Sequence, residues 1–392
     1  RGLIWPHYPM KLPTRRNFLK AGLAAAATSS IAGTGSAVPM PDMPAPLHRN
    51  PLPRWRGFNL MPFFMHSADD SEYRDLTVKE LDLKWIRDWG FDYIRLPFDY
   101  WFFVDGSWRK TGKMDPDDIR QLDEANLAQL DRSVELCLEY GLHLNLNMHR
   151  APGYCINGWD LEPFNLFKDR DAQEHFVWFW EMLARRYEGI STRQLSFNLV
   201  NEAPDTGDKM SSADYRRVML AGRDAIRAVT PDRIIIIDGT GVGRNVVTNL
   251  IGEDLAQAFH VYDPFPLTHY KAGWVGDNSD WPVPEYPFPE EDGTLVDKSV
   301  MAIRLAPWAE AVRQGIGVHC GEFGCYRYTP HEVFLPWMRD VLGLLKEWDI
   351  GWALWNFRGD FGVLDSGRTD VAYEDWHGHK LDRKLLNLLL QG

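Results

Sequence analysis

Eight short β-rich runs alternate with helical stretches along most of this chain, and no other feature restricts its fold as sharply. The runs span residues 56–61, 91–98, 143–149, 195–202, 234–239, 257–263, 318–324 and 352–357. Strands alternating with helices predict βαβ units and a parallel sheet. Ile234 to Ile237 is apolar without alternation, as a parallel strand covered on both faces requires. Helix punctuation falls between the runs. Thr77 with Glu80 is a capping-box pattern ahead of Leu81, Trp85 and Ile86, and Gly90 closes that helix. Asp171 with Glu174 opens a second through Phe176, Phe179 and Leu183. Ile119, Leu122, Leu130, Val134 and Leu138 form one face of a third, ended by Gly141. Eight such units predict an α/β fold of the (β/α)8, or TIM barrel, type: one domain with long loops after the strands. The rival, a doubly wound open sheet, would need a glycine-rich phosphate loop after its first strand, and none follows here.

Composition narrows the partners. A chain of 392 residues with 45% hydrophobic and 25% charged residues can bury a large core, and no run approaches the ~20 strongly apolar residues of a membrane span. The formal charge of −12 leaves no basic stripe for a phosphate backbone, which argues against nucleic acid. Cys137, Cys155, Cys320 and Cys325 lack the paired short spacings of a zinc site and are read as buried thiols, although Cys320 and Cys325 could pair after export. The chain carries 17 Trp, 14 Tyr and 20 Phe. Flat rings with a polar edge suit flat amphipathic ligands such as sugars.

Residues 1–37 read as upstream sequence and an export signal, and Thr14-Arg15-Arg16-Asn17-Phe18-Leu19-Lys20 is similar to the twin-arginine signal. The product is expected in the periplasm or outside the cell, without stable membrane insertion once the signal is cleaved. Six prolines make residues 38–53 an extended linker. Residues 54–392 form the expected catalytic domain.

Polar residues collect where the runs end: Arg95, Asn147 and His149, Asn201 and Glu202, His260 and Tyr262, Glu322, and Trp355. In a barrel these ends meet at the catalytic rim. Glu202 and Glu322 each terminate an otherwise apolar run, where an ionised carboxylate is costly unless it is paired or functional. Two carboxyl groups facing each other across an aromatic-lined mouth form a constellation for glycoside hydrolysis.

On these residues the chain resembles glycoside hydrolase family 5, the cellulase-type family, over roughly residues 55–357. The match comprises Arg95 in Ile-Arg-Leu-Pro, His149 in Asn-Met-His-Arg, the Asn201-Glu202 pair, His260-x-Tyr262, Glu322 in Gly-Glu-Phe-Gly and Trp355 in Ala-Leu-Trp-Asn. The family usually has proline directly after the first glutamate, whereas here Ala203 precedes Pro204. The resemblance implies a retaining double displacement with carboxyl groups about 5–5.5 Å apart. Glu322 would be the nucleophile and Glu202 the acid/base, without cofactor or metal ion. Arg95 would keep Glu322 ionised, and Tyr262 would donate to it. Asn201 would bond the sugar 2-hydroxyl, His149 and His260 would orient these groups, and Trp355 would floor the reactive sugar.

The expected substrate is a polysaccharide or oligosaccharide of the β-1,4-glucan type, cleaved internally by a monomer. β-Mannan, exo-action on β-1,3-glucan, and a non-catalytic carbohydrate-binding barrel are the alternatives. Among the loop aromatics, Trp101, Phe102, Phe103, Trp108, Tyr154, Trp281, Tyr286 and Phe288 divide between packing and sugar stacking. Trp159 and Trp274 are the expected stacking platforms. His377-Gly378-His379 reads as a solvated loop rather than a metal site.

Overall fold

The computed structural model describes residues 49–64, 78–104, 120–158, 162 and 164–392. The expected export signal and most of the expected linker therefore lie outside the described residues, as do Thr77, Trp108, Ile119 and Trp159.

All eight runs are barrel strands: β1 (Arg56–Asn59), β2 (Tyr93–Asp99), β3 (His143–Arg150), β4 (Leu195–Asn198), β5 (Ile235–Asp238), β6 (Ala256–Val261), β7 (Val318–Phe323) and β8 (Gly351–Leu354). Every neighbouring pair is parallel, and β1 pairs with both β2 and β8, which closes the barrel. The outer helices are α1 (Glu80–Asp88), α2 (Glu124–Glu139), α3 (Arg170–Arg186), α4 (Ser212–Val229), α5 (Lys298–Arg313), α6 (His331–Glu347) and α7 (Arg383–Gln391). Only short turns, Thr240–Gly243 and Thr248–Leu250, stand between β5 and β6. No described helix is long and apolar enough to cross a membrane.

Several boundaries differ from expectation, each for a local reason. The helix expected from Ile119 begins at Glu124, where the Asp123 side chain accepts from the Asn126 N–H; Leu122 lies before it. The helix expected to open at Asp171 starts one residue earlier, capped by Asp169 through backbone alone. α1 likewise starts after Lys79 with no side-chain cap. Inside the proline-rich stretch, Asn50 donates to the Val318 carbonyl at 2.8 Å and accepts its N–H at 3.1 Å, so the end of that stretch is pinned to the barrel. The His377 to His379 segment is the turn of a small hairpin, with His379 Nδ1 2.8 Å from Asp365 Oδ2. All four cysteines are buried and unpaired.

The barrel floor is aromatic: Trp55 stacks on His143 with centroids 3.7 Å apart, and Tyr93 lies parallel to the same ring. Burial from water pushes His143 down to about 4, so it packs as a neutral ring. Above the floor the interior turns polar, and the amides pair with neighbours. Asn145 donates to Ser196 Oγ at 2.9 Å, and Asn147 donates to Asn198 Oδ1 at 2.9 Å. Apolar residues of the same strands face the helices, as where Trp180 packs on Phe197 and donates to the Leu199 carbonyl. Two register shifts sit at the upper rim, at Phe98/Asp99 and at Phe259/His260. Bulges of this kind re-aim side chains beside active sites. The second one sets His260 opposite Glu322.

Candidate active site

Glu322, near the end of β7, accepts from Arg95 of β2 through Oε1 at 2.7 Å and from the Tyr262 hydroxyl through Oε2 at 3.0 Å. Arg95 is fully buried and spreads its remaining donors over Asn59 (3.1 Å), Asn201 (2.7 Å) and Asn198 (3.3 Å). A guanidinium so enclosed is a fixed positive charge held closest to the Glu322 carboxylate, with Asp238 next at 3.7 Å.

Glu202 lies beyond the end of β4, buried, with Oε1 2.9 Å from His260 Nδ1. Burial pushes its carboxyl above the usual range and the negative Glu322 adds to that, while the His260 hydrogen bond works in the opposite direction. Burial alone would deprotonate His260, yet the charges of Glu322, Asp238 and Glu202 prevail and raise it. Burial and the adjoining Glu322 keep the Tyr262 phenol protonated, well above its ordinary range.

Carboxylate oxygens of Glu202 and Glu322 and a ring nitrogen of His260 all lie within 4.8 Å of one another. Such a trio could ligate a cation. Here Arg95 already supplies positive charge to Glu322, so the cluster is neutralised in part by the protein itself.

The remaining expected residues gather around this pair. Asn201 is fully buried; its Oδ1 receives Arg95, and its Nδ2 has no hydrogen-bond partner among the described residues. His149 and Trp355 lie with ring planes 24° apart and centroids 6.0 Å apart, and Phe64 packs edge-on against both. Trp274 is 42% exposed, and its ring meets Tyr326 at 4.7 Å within a cluster that also holds Phe361 and Tyr262. It is thus part-exposed beside the aromatic cluster that flanks Tyr262. Trp101, Phe102, Phe103 and Tyr154 are buried and belong to the packing.

Two residues that sequence reasoning did not single out, Asn59 and Asp238, and one that it read only as a loop aromatic, Tyr154, complete the site. Asn59, ending β1, donates to the Gly321 carbonyl at 3.0 Å beneath Glu322. Asp238, ending β5, accepts the Glu202 N–H at 2.9 Å. Tyr154 donates its hydroxyl to the Glu202 carbonyl at 2.5 Å. Asn59 and Asp238 close observed strands, β1 and β5, whereas the predicted runs continue to residues 61 and 239 and so did not mark them as ends.

The Ala203 insertion has a structural counterpart: the carbonyls of Ala203 and Pro204 accept the N–H groups of Val242 and Gly241 at 2.8 and 3.1 Å. The turn after β4 is thereby tied to the turn after β5.

A closed parallel barrel bearing two adjacent buried carboxylates at its carboxyl-terminal rim, with aromatic rings around them, has the architecture of a glycoside hydrolase. Comparison with known proteins supports that class. The model of the cellulase family, glycosyl hydrolase family 5, matches residues 53–360, and the chain belongs to that family. It is 31% identical to Endoglucanase C of Acetivibrio thermocellus over 334 residues, covering 77% of this chain and 91% of that enzyme. It is 29% identical to Cellodextrinase A of Ruminococcus flavefaciens, over 73% of this chain and 80% of that one. A crystal structure of a glycoside hydrolase at 35% identity superposes with a TM-score of 0.79, covering 86% of this chain and 99% of the other.

Proposed function

We propose that this glycoside hydrolase is a retaining endo-β-1,4-glucanase in which Glu322 is the nucleophile and Glu202 the acid/base. The observation that carries the reading is the short separation of unequal carboxyls, with oxygens of the two within 4.8 Å of each other. Retaining enzymes hold their carboxyl groups about 5–5.5 Å apart, whereas inverting ones leave about 6.5–9.5 Å for a water. The unequal surroundings support this division of roles. Glu322 faces Arg95 and the Tyr262 hydroxyl, which stabilise a carboxylate able to attack the anomeric carbon. Glu202, raised by burial and by its negative neighbour, holds a proton to give to the leaving oxygen. It then takes one from the water that releases the sugar. The partnerless Asn201 amide is the donor for a substrate hydroxyl, with Trp355 beneath the reactive ring and Trp274 as a further platform. Relatives named endoglucanase favour internal cleavage of a glucan, and membership of the cellulase family favours a cellulose-type, β-1,4-linked one. The basic amino-terminal segment fits export of the enzyme as a monomer to where such polymers lie.

The test is hydrolysis of soluble β-1,4-glucan, mixed-linkage glucan, β-1,3-glucan and glucomannan, with product lengths resolved. A ladder of oligosaccharides from β-1,4-glucan is expected, with Glu202→Gln about 10²–10⁴-fold slower and Glu322→Gln at background. Binding without hydrolysis, or faster cleavage of mannan or β-1,3-glucan, would contradict the proposal.

A further inference from the structure

Glu202 occupies a backbone conformation that a glutamate seldom adopts, with φ at 48°. Left-handed values are disfavoured for residues with a Cβ and persist only where the surroundings over-determine them. Here both peptide groups of Glu202 are held from the side. Asp238 Oδ2 accepts its N–H at 2.9 Å, and the Tyr154 hydroxyl donates to its carbonyl at 2.5 Å. Asp238 is itself immobile: it is fully buried, and its Oδ1 accepts from Asn198 Nδ2 at 2.9 Å. The same Oδ2 that receives Glu202 stands 3.4 Å from His260 Nε2 and 3.7 Å from Arg95 Nη2. The other nitrogen of His260 meets Glu202 Oε1. One buried carboxylate therefore touches the acid/base at its backbone and flanks the imidazole that touches its side chain.

We propose that Asp238 and Tyr154 are positioning residues that fix Glu202 in its left-handed conformation, so that its carboxyl stands over the scissile oxygen. The inference rests on the reading of Glu202 as acid/base. Neither residue touches the reacting atoms, and both act through Glu202. Releasing either peptide group lets φ relax toward the ordinary negative range and carries the Glu202 carboxyl away from His260 and from the leaving group.

A role exerted through the proton donor has a signature that general loosening of the barrel lacks. A 2,4-dinitrophenyl leaving group departs without protonation, whereas a sugar leaving group requires it. We therefore compare kcat/KM on 2,4-dinitrophenyl β-cellobioside and on cellotetraose for Asp238→Asn, Tyr154→Phe and Glu202→Gln, and for each of the first two combined with Glu202→Gln. Tyr154→Phe retains the ring and loses only the hydroxyl. Asp238→Asn must set an amide nitrogen against either the Glu202 N–H or the Asn198 amide, so its melting temperature is measured alongside; if it does not fold, Tyr154→Phe decides the question.

The expected result is a loss on cellotetraose of about tenfold or more against less than about threefold on the dinitrophenyl glycoside, a modest share of the ~10²–10⁴-fold of general acid catalysis. In the Glu202→Gln background neither substitution should slow cellotetraose further, because residues acting as one unit are not additive. Equal losses on both substrates, or no loss in folded variants, would overturn the proposal. If Glu202→Gln itself slows both substrates equally, the acid/base assignment fails and this inference with it. If Glu202→Gln is selective while the other two are not, the positioning role alone is wrong.

Discussion

Glu202 and Glu322 stand side by side but not in one environment, and that asymmetry has consequences for pH. Glu202 holds its proton above the usual glutamate range of about 4.3, because burial and Glu322 disfavour its charge. On the alkaline side kcat/KM should therefore fall as Glu202 ionises, with a midpoint above that value. The same shift bears on stability. With its folded pKa raised above the unfolded one, Glu202 makes the native state bind more protons, so its contribution to stability declines as pH rises through the folded pKa. Glu202→Gln should melt at a higher temperature than the wild type at neutral and alkaline pH, with the difference vanishing at acid pH where the glutamate is protonated. A lower melting temperature across the range would contradict this. The glutamates and Arg95 were legible in the sequence because charges at the ends of apolar runs need a reason. Asp238 was not, since Asp238-Gly239 after Ile235, Ile236 and Ile237 reads as ordinary turn chemistry. Tyr154 was hidden differently: its partner is a backbone carbonyl 48 residues away, and a carbonyl leaves no sequence pattern.

Periodicity located all eight strands, but not where they stop. The run 195–202 is continuous in sequence, yet β4 ends at Asn198, and the last residues turn out to form the rim. Apolar character continues through Leu199 and Val200 because both are buried, while the ladder ends because the chain must lift Glu202 over the barrel mouth. Helix starts were misplaced where the helix opens without a side-chain cap, as at Lys79 and Asp169. The turn after β5 is held by geometry that no propensity shows. Gly241 has φ 65°, and a Cβ there would stand 2.4 Å from Asn245 Nδ2 and 2.6 Å from Asp205 Oδ1. Gly241→Ala should cost about 1–2 kcal/mol for the left-handed backbone, before counting the displaced neighbours. Because Gly241 and Val242 tie down the turn after Glu202, the variant should also lower kcat more than it raises KM. Denaturant unfolding and steady-state kinetics check both; unchanged stability together with an unchanged kcat would refute the coupling of the two turns.

At the scale of the whole molecule, the net negative charge sets the surface and Arg95 sets the centre. An arginine 2.7 Å from Glu322 holds a permanent positive charge where a cation would otherwise be needed. Extended dialysis against a chelator should therefore leave turnover on soluble β-glucan unchanged. Loss of activity restored by a divalent ion would instead assign the Glu202, His260 and Glu322 cluster to a metal. The barrel as a whole was legible because its repeat is written eight times, whereas loop lengths and the sugar they select are written once. If Glu322 is the nucleophile it forms a covalent bond to the sugar, and trapping that bond is the decisive measurement. The enzyme is incubated with 2,4-dinitrophenyl 2-deoxy-2-fluoro-β-cellobioside, and the labelled peptide is sequenced by mass spectrometry. One equivalent of fluoro-cellobiosyl on Glu322 and none after Glu322→Gln is the expected result; a label on another carboxylate, or turnover with inversion and no covalent species, would contradict a nucleophilic Glu322.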